Sequence, residues 1–382
     1  MGQCLCLQGR VIEQQPRVKL PWELEEEILS RLPPHSLLRF KTVCKRWNAL
    51  SNDKLFLTNH LSHSRPHFIF HTNTKTYSID MVGPNSIDPR IELRELPSSD
   101  LPYDEKMDYT VATCDEFLIP MCNYWNKETA LWNPWLRQVI RIEFEPFLVS
   151  GFGYDNTSRE KVYKMLGVFR CRNNVQRGYQ ERVAIYYCAT NTFKFLDIPD
   201  EDLSIAHTVT RRSVFLNGNL YWVSYNHQTP YEYFILSFDF SREVFKPFCL
   251  RPCLRKDISD QLILAVYKRD RFSLLKGCYK TRNIEILVTK KNIERCEEEV
   301  VWIHLMTLPT DNLPSRVFFM SDCISYLVFD KTIFMCCGGC GSKVACIYIV
   351  RKDLCKEFQI GSDKCSHCVY TPNFISLPLL RN

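Results

Sequence analysis

The chain has 382 residues, 49 Lys and Arg against 43 Asp and Glu for a formal net charge of +6, and 45% hydrophobic and 13% aromatic content. That much apolar surface offsets the entropy of ordering, which excludes a disordered chain, and a mild charge excess without long runs of one sign argues against a nucleic-acid partner. The length suits one small module and one large domain.

At the N-terminus, Arg10 and Glu13 interrupt what little apolar character there is, so no secretory signal is read. The 19 cysteines are therefore expected as reduced thiols packed as small hydrophobes. MGQCLC begins like a myristoylation site, with Cys4 and Cys6 for palmitoylation, but Cys6 stands where Ser or Thr is wanted. A disordered tail over residues 1–15 is the expectation. No window approaches the roughly eighteen uncharged apolar residues that span a bilayer. A soluble, intracellular protein of the nucleus or cytoplasm is expected, with no membrane partner.

From Leu20 to Phe56, Leu24, Ile28, Leu29 and Leu32 recur at helical spacing, with Glu23, Glu25, Glu26 and Glu27 in the early turns where the helix dipole favours negative charge. Pro33 and Pro34 stop this helix. A second is expected from near Ser36 as its cap through Leu37, Leu38 and Phe40 toward Val43, and a third carrying Trp47 and Leu50. Three short helices over about forty residues sit near the lower limit of independent stability and offer too few interior positions for all these apolar side chains. Some must face a partner.

The run LPWELEEEILSRLPPHSLLRFKTVCKRWNAL resembles an F-box, from Leu20-Pro21 through Pro33, Ser36-Leu37 and Val43-Cys44-Lys45 to Trp47. The resemblance implies an F-box over 16–60 that binds a Skp-type adaptor and, through it, a cullin scaffold. Carried over by position, the adaptor-binding residues would be Leu20, Pro21, Ile28, Leu29, Leu32, Pro33, Leu37, Phe40, Val43, Cys44 and Trp47. The alternative is an ordinary helical cap whose apolar residues, Leu24 and Leu38 first among them, form its own interior.

From about Ser64 the texture changes to short runs of Val, Ile, Phe, Tyr and Trp separated by Asn, Asp, Gly and Pro, the mark of an all-β domain. Strands are predicted at HFIFH from His67, YKMLGVF from Tyr163, VAIYYCA from Val183, SVFLNGNLYWVSY from Ser213, YFILSFDF from Tyr233, QLILAVY from Gln261, IEILVT from Ile284 and VACIYIV from Val344. Asn217-Gly218 between two apolar runs signals a type I′ hairpin. A phrase of strand, polar turn and strand recurs as ALWNPWLRQVIRI from Ala130, IYYCATNTFKFLDI from Ile185, ILSFDFSREVFKPF from Ile235 and CIYIVRKDLCKEFQI from Cys346, with looser copies at Phe68 and Ile284. A period of about 50–60 residues is close to that of kelch-type blades and predicts a β-propeller of six or seven blades over 64–380. Two sandwiches are the rival reading.

The phrases LWNP, GFGYD, VYKMLG, VFLNGNLYWVS and FILSFDF resemble those of the plant F-box-associated domain, a kelch-like interaction domain paired with an N-terminal F-box. The resemblance implies the substrate-recognition subunit of an SCF-type ubiquitin ligase, without catalysis or cofactor, whose β domain binds a protein target for ubiquitination. It transfers no substrate-binding residues, and CCGGCGSK after Asp311 departs from the family pattern.

Other constellations are weaker. CGGC and CSHC could offer Cys337, Cys340, Cys365 and Cys368 to zinc, with His367 as a substitute, or be thiols packed against strands. No nucleotide loop, nucleophile elbow or zinc-protease helix is present. Gly151 and Gly153 form a lone G-x-G, read as a bulge or close backbone approach. His60, His63, His67 and His71 are read as a solvated linker interrupted by Pro66. Trp132, Trp135, Trp222 and Tyr225 are core or a ligand-facing rim. The alternative functions are a zinc-containing or enzymatic propeller, or an F-box scaffold that promotes no ubiquitination.

Overall fold

Period-2 and period-3.6 patterning separate cleanly along this chain, and a computed structural model shows a helical unit over 1–64 followed by a β unit over 65–382. The structure describes residues 20–72, 75–97, 101, 109–114, 117–122, 126–155, 157, 161–173, 178–198, 212–225, 233–249, 260–278, 280–293, 300–310, 313–314, 324–338, 344–362 and 365–378. The tail expected over 1–15 lies outside them.

The helical unit contains α1 (Trp22–Ser30), α2 (Pro34–Phe40), α3 (Lys45–Leu50) and α4 (Lys54–His63). Pro34 occupies the first turn of α2, where its missing N–H costs nothing, and Pro33 is the N-cap. Ser36 is therefore inside the helix and not its cap. The Cys44 sulfur accepts from Trp47 N–H at 3.4 Å to start α3, and Asp53 accepts from Phe56 N–H at 2.9 Å to start α4. The fourth helix was not anticipated. Its buried His60 donates through Nε2 to the Leu32 carbonyl at 2.9 Å, tying α4 to the chain just beyond α1.

Among the described residues the β unit has 23 strands in five sheets, four of four strands and one of seven. The first sheet runs β23 (Cys365–Tyr370), β1 (His67–Thr72), β2 (Thr76–Val82), β3 (Arg90–Leu96). The seven-stranded sheet holds β4 (Tyr109–Cys114), β5 (Phe117–Cys122), β6 (Asn126–Asn133), β7 (Gln138–Asp155), β8 (Val162–Asn173), β9 (Gly178–Tyr187) and β10 (Thr192–Phe195). Then come β11 (Val214–Leu216), β12 (Asn219–Tyr225), β13 (Tyr233–Asp239), β14 (Val244–Cys249), followed by β15 (Asp260–Tyr267), β16 (Arg271–Cys278), β17 (Asn283–Thr289), β18 (Trp302–Pro309). The last sheet is β19 (Ile324–Phe329), β20 (Thr332–Cys337), β21 (Val344–Arg351), β22 (Leu354–Ser362).

The 18-residue β7 resolves the seven-stranded sheet into two units. Its residues 138–147 pair with β6 and its residues 147–155 pair with β8, so it ends one meander and begins the next. Six four-stranded blades result. Their inner strands β23, β4, β7, β11, β15 and β19 neighbour one another in turn around a closed ring. The ring closes because the last strand pairs with the first, from His67↔Tyr370 to Thr72↔Cys365. Arg212, just before β11, donates to the carbonyls of Ile324 and His367 and to Ser325 Oγ, tying the fourth blade to the sixth and first.

Six apolar clusters fill the six seams between neighbouring blades. Successive residues of a strand point to opposite seams: Cys336 joins the cluster with Phe68 and Ile347, and Cys337 packs on the one with Met335 and Tyr348. Blades covered on both faces need continuous apolar runs and not alternation, which is why VACIYIV reads as it does.

Candidate functional site: an apolar surface on the helical unit

The adaptor-binding residues expected from the sequence divide into three groups by burial. Leu20 (43% exposed), Ile28 (53%) and Val43 (59%) present apolar side chains to solvent, and Pro21, Pro33 and Cys44 are also exposed. Leu32, Phe40 and Trp47 are half-buried. Leu29 and Leu37 are buried.

Leu24, which the sequence leaves open between interior and surface, is 51% exposed. It lies one turn before Ile28 on α1, so the two share one face, while exposed Leu20 precedes the N-cap Pro21. The four-residue spacing was visible in the sequence; which side of the stripe turned inward was not. Leu55, on α4, is exposed as well.

Trp47 has a positioning role. Its indole Nε1 donates to Glu25 at 3.2 Å and its ring meets Phe40 edge-on at 5.5 Å, fastening α3 to α1 and α2. Arg46 lies over the Trp22 ring at 3.5 Å, a second α3–α1 link. Glu27 on α1 pairs with Arg31 at its C-cap, and the Arg31 hydrogen bond holds the Glu27 carboxyl below its usual range. Leu24 and Ile28 thus leave exposed aliphatic side chains on the helix that also carries the Glu27 end of this pair.

The other constellations are placed as follows. Trp132, Trp135 and Trp222 are buried between blades, which settles them as core; the Tyr225 side chain lies outside the described residues. The histidines are not a solvated linker: His60 and His63 sit on α4, and His67 and His71 on β1. His71 is buried against Thr76 Oγ1 at 2.9 Å, and burial pushes its imidazole down to about 4. Gly151 and Gly153 are a close approach: a Cβ on Gly153 would stand 2.1 Å from the Phe240 ring. Of the four cysteines weighed for zinc, Cys365 lies beside Gly338, the residue after Cys337, while Cys368 is buried with its thiol pushed up to about 12 and Cys340 lies outside the described residues. Among the described residues no three potential ligands come together. No helix among them is long and apolar enough to cross a membrane.

Comparison with known families agrees with this division of the chain. Residues 18–59 match the F-box domain and residues 67–377 the F-box associated beta propeller domain. Protein SUPPRESSOR OF NIM1 1 of Arabidopsis thaliana is 52% identical over 372 residues, covering 94% of this chain and 99% of that protein. F-box protein At3g17710 of the same plant is 50% identical over 94% of this chain and 98% of its own length. Putative F-box/kelch-repeat protein At1g12170, also from Arabidopsis thaliana, is 40% identical over 94% and 99%. With both domains matched in order and relatives aligned over almost their whole length, the chain belongs to the plant F-box proteins that carry an F-box-associated propeller domain.

Proposed function

We propose that this protein is the substrate-recognition subunit of an SCF-type ubiquitin ligase. Its F-box docks a Skp-type adaptor through Leu20, Pro21, Leu24, Ile28, Pro33, Val43 and Cys44, with Leu32, Phe40 and Trp47 at the margins and Leu29 and Leu37 beneath. The adaptor links it to a cullin scaffold, and the propeller over 64–380 holds a protein target. The protein itself performs no bond chemistry. Holding ligase and target on one chain raises the effective concentration of a target lysine at the conjugating enzyme. The expected place of action is the nucleus or cytoplasm.

The observation that carries this reading is the exposure of Leu20, Leu24, Ile28 and Val43 on a helical unit too small to spare apolar side chains. Such surface is costly unless a partner covers it. The test is co-purification of the full chain with a Skp-type adaptor, repeated with Ile28→Asp and Val43→Asp together. Loss of the adaptor with the helical unit still folded supports the reading, and undiminished co-purification of the double variant overturns it.

A further inference from the structure

Half-buried Cys337 ends β20 and buried Cys346 lies directly opposite it on β21. Both side chains enter the same seam, between the fifth and sixth blades. The Cys346 thiol donates to a Glu357 carboxylate oxygen at 3.2 Å. We propose that Cys337 and Cys346 form a dithiol modification site that a hydroperoxide closes to a reversible disulfide.

Directly opposed residues of an antiparallel pair stand with Cα atoms about 4.5 or 5.5 Å apart, inside the roughly 4.4–6.8 Å that a disulfide spans. Their Cβ atoms, about 4.5–5.5 Å apart, must draw in toward the roughly 3.8 Å of a relaxed bridge. Because Cys337 is only half-buried, the bond stays within reach of a reductant and is reversible. The neighbouring thiols are arranged differently. Cys336 and Cys365 pack in the seam between the sixth and first blades, Cys368 in the one between the first and second, and Cys355, though it packs on the same seam as Cys346, stands opposite Val350.

Cys337, the more open of the two, reacts first. Its thiolate sulfur attacks the peroxide, an S–O bond forms as the O–O bond breaks, and hydroxide or alkoxide leaves. The Cys346 thiol then gives its proton to Glu357 while its sulfur attacks the Cys337 sulfur. The sulfenic hydroxyl departs, taking that proton, as water. Two thiols have lost two electrons and one peroxide has been reduced. The new bond joins the end of the second strand of the sixth blade to the start of its third.

The full-length protein treated with hydrogen peroxide, alkylated, digested and mapped by mass spectrometry tests this. The expected product joins Cys337 to Cys346, disappears with dithiothreitol and is absent from Cys337→Ser. In Cys346→Ser, Cys337 stops at a dimedone-reactive sulfenic acid. A bond from Cys337 to Cys340 or Cys365 overturns the proposal, as does a pair still free once other thiols of the chain are oxidised. The wild-type map decides by itself, so the result does not depend on whether the buried Cys346→Ser change is tolerated.

Discussion

Lys164 on β8 donates to Glu243 at 2.7 Å, joining the third blade to the turn before β14 in the fourth. The same carboxylate accepts from Tyr187 at 2.5 Å and Lys194 at 2.6 Å, and Lys164 also donates to the Phe240 carbonyl. Burial alone would raise the Glu243 carboxyl, but the hydrogen bonds from Lys164, Lys194 and Tyr187 outweigh it and bring it down to about 2. Because the folded value lies below the ordinary 4.5, the clamp's stabilisation is complete above that pH and is lost as pH falls from about 4.5 toward 2. Glu243→Gln should flatten the acid limb of a denaturation-against-pH series over that window. Glu243→Ala should cost about 3 kcal/mol, since it strands a buried ammonium.

His71 titrates in a separate window and with its own cause. Burial lowers it from 6.5 to about 4, so the unfolded chain binds the proton more readily. Stability is complete above about 6.5 and falls, by up to about 3 kcal/mol, as pH drops to 4. His71→Gln should remove this part of the pH dependence and leave the Glu243 part in place, which urea titrations at pH 7, 5, 4 and 3 would show.

The helical unit separates stability from docking. Leu29→Ala and Leu37→Ala should each cost about 2–5 kcal/mol, because they empty buried positions. Ile28→Ala and Val43→Ala, at exposed positions, should stay within about 0.5 kcal/mol yet weaken adaptor binding. Thermal melts of the four variants, set beside their adaptor affinities, check the split.

Two glycines answer to tertiary neighbours. Gly218 has φ +86 beside Asn217 at +50, the left-handed pair a type I′ turn needs, and its carbonyl accepts from Tyr154 N–H at 3.1 Å. Gly218→Ala should cost about 1–2 kcal/mol from the backbone alone. Gly153→Ala should cost more, because its Cβ would meet both Phe240 and the Gly218 carbonyl. Shifts in denaturant midpoint would rank them.

Ring closure rests on the final strand. β23 supplies the whole inner strand of the first blade, and Ser366 Oγ accepts from Val111 N–H at 2.9 Å in the second. A chain ending at residue 361 should lose the cooperative unfolding transition of the β unit and become protease-sensitive. A retained single sharp transition in calorimetry would contradict this.

The recurring phrase read from the sequence proves to be the hairpin of third and fourth strands in blades two, three, four and six. Its turn ends on a left-handed residue just before the fourth strand in three of them, Arg137, Asn191 and Glu243. The looser copy at Phe68 is out of phase. It covers β1 and β2, the second and third strands of the first blade, because that blade's inner strand comes from the far end of the chain. The blade number was legible only to within one for the same reason, and because β7 serves two blades without a turn to mark the boundary.

Local patterning determined by itself that a proline-bounded helical module precedes a long β domain, since helix stripes, proline stops and Asn-Gly turns act over a few residues. The F-box residues were equally legible as a set. Only the tertiary structure decided which of them face outward, placing Leu24 and Ile28 at the surface and Leu29 and Leu37 inside, because one apolar stripe must be shared between the core and the surface. It also decided that Trp132, Trp135 and Trp222 are core and that Cys337 meets Cys346. Burial and cross-strand register are relations between segments distant along the chain, and no run of neighbouring residues encodes them.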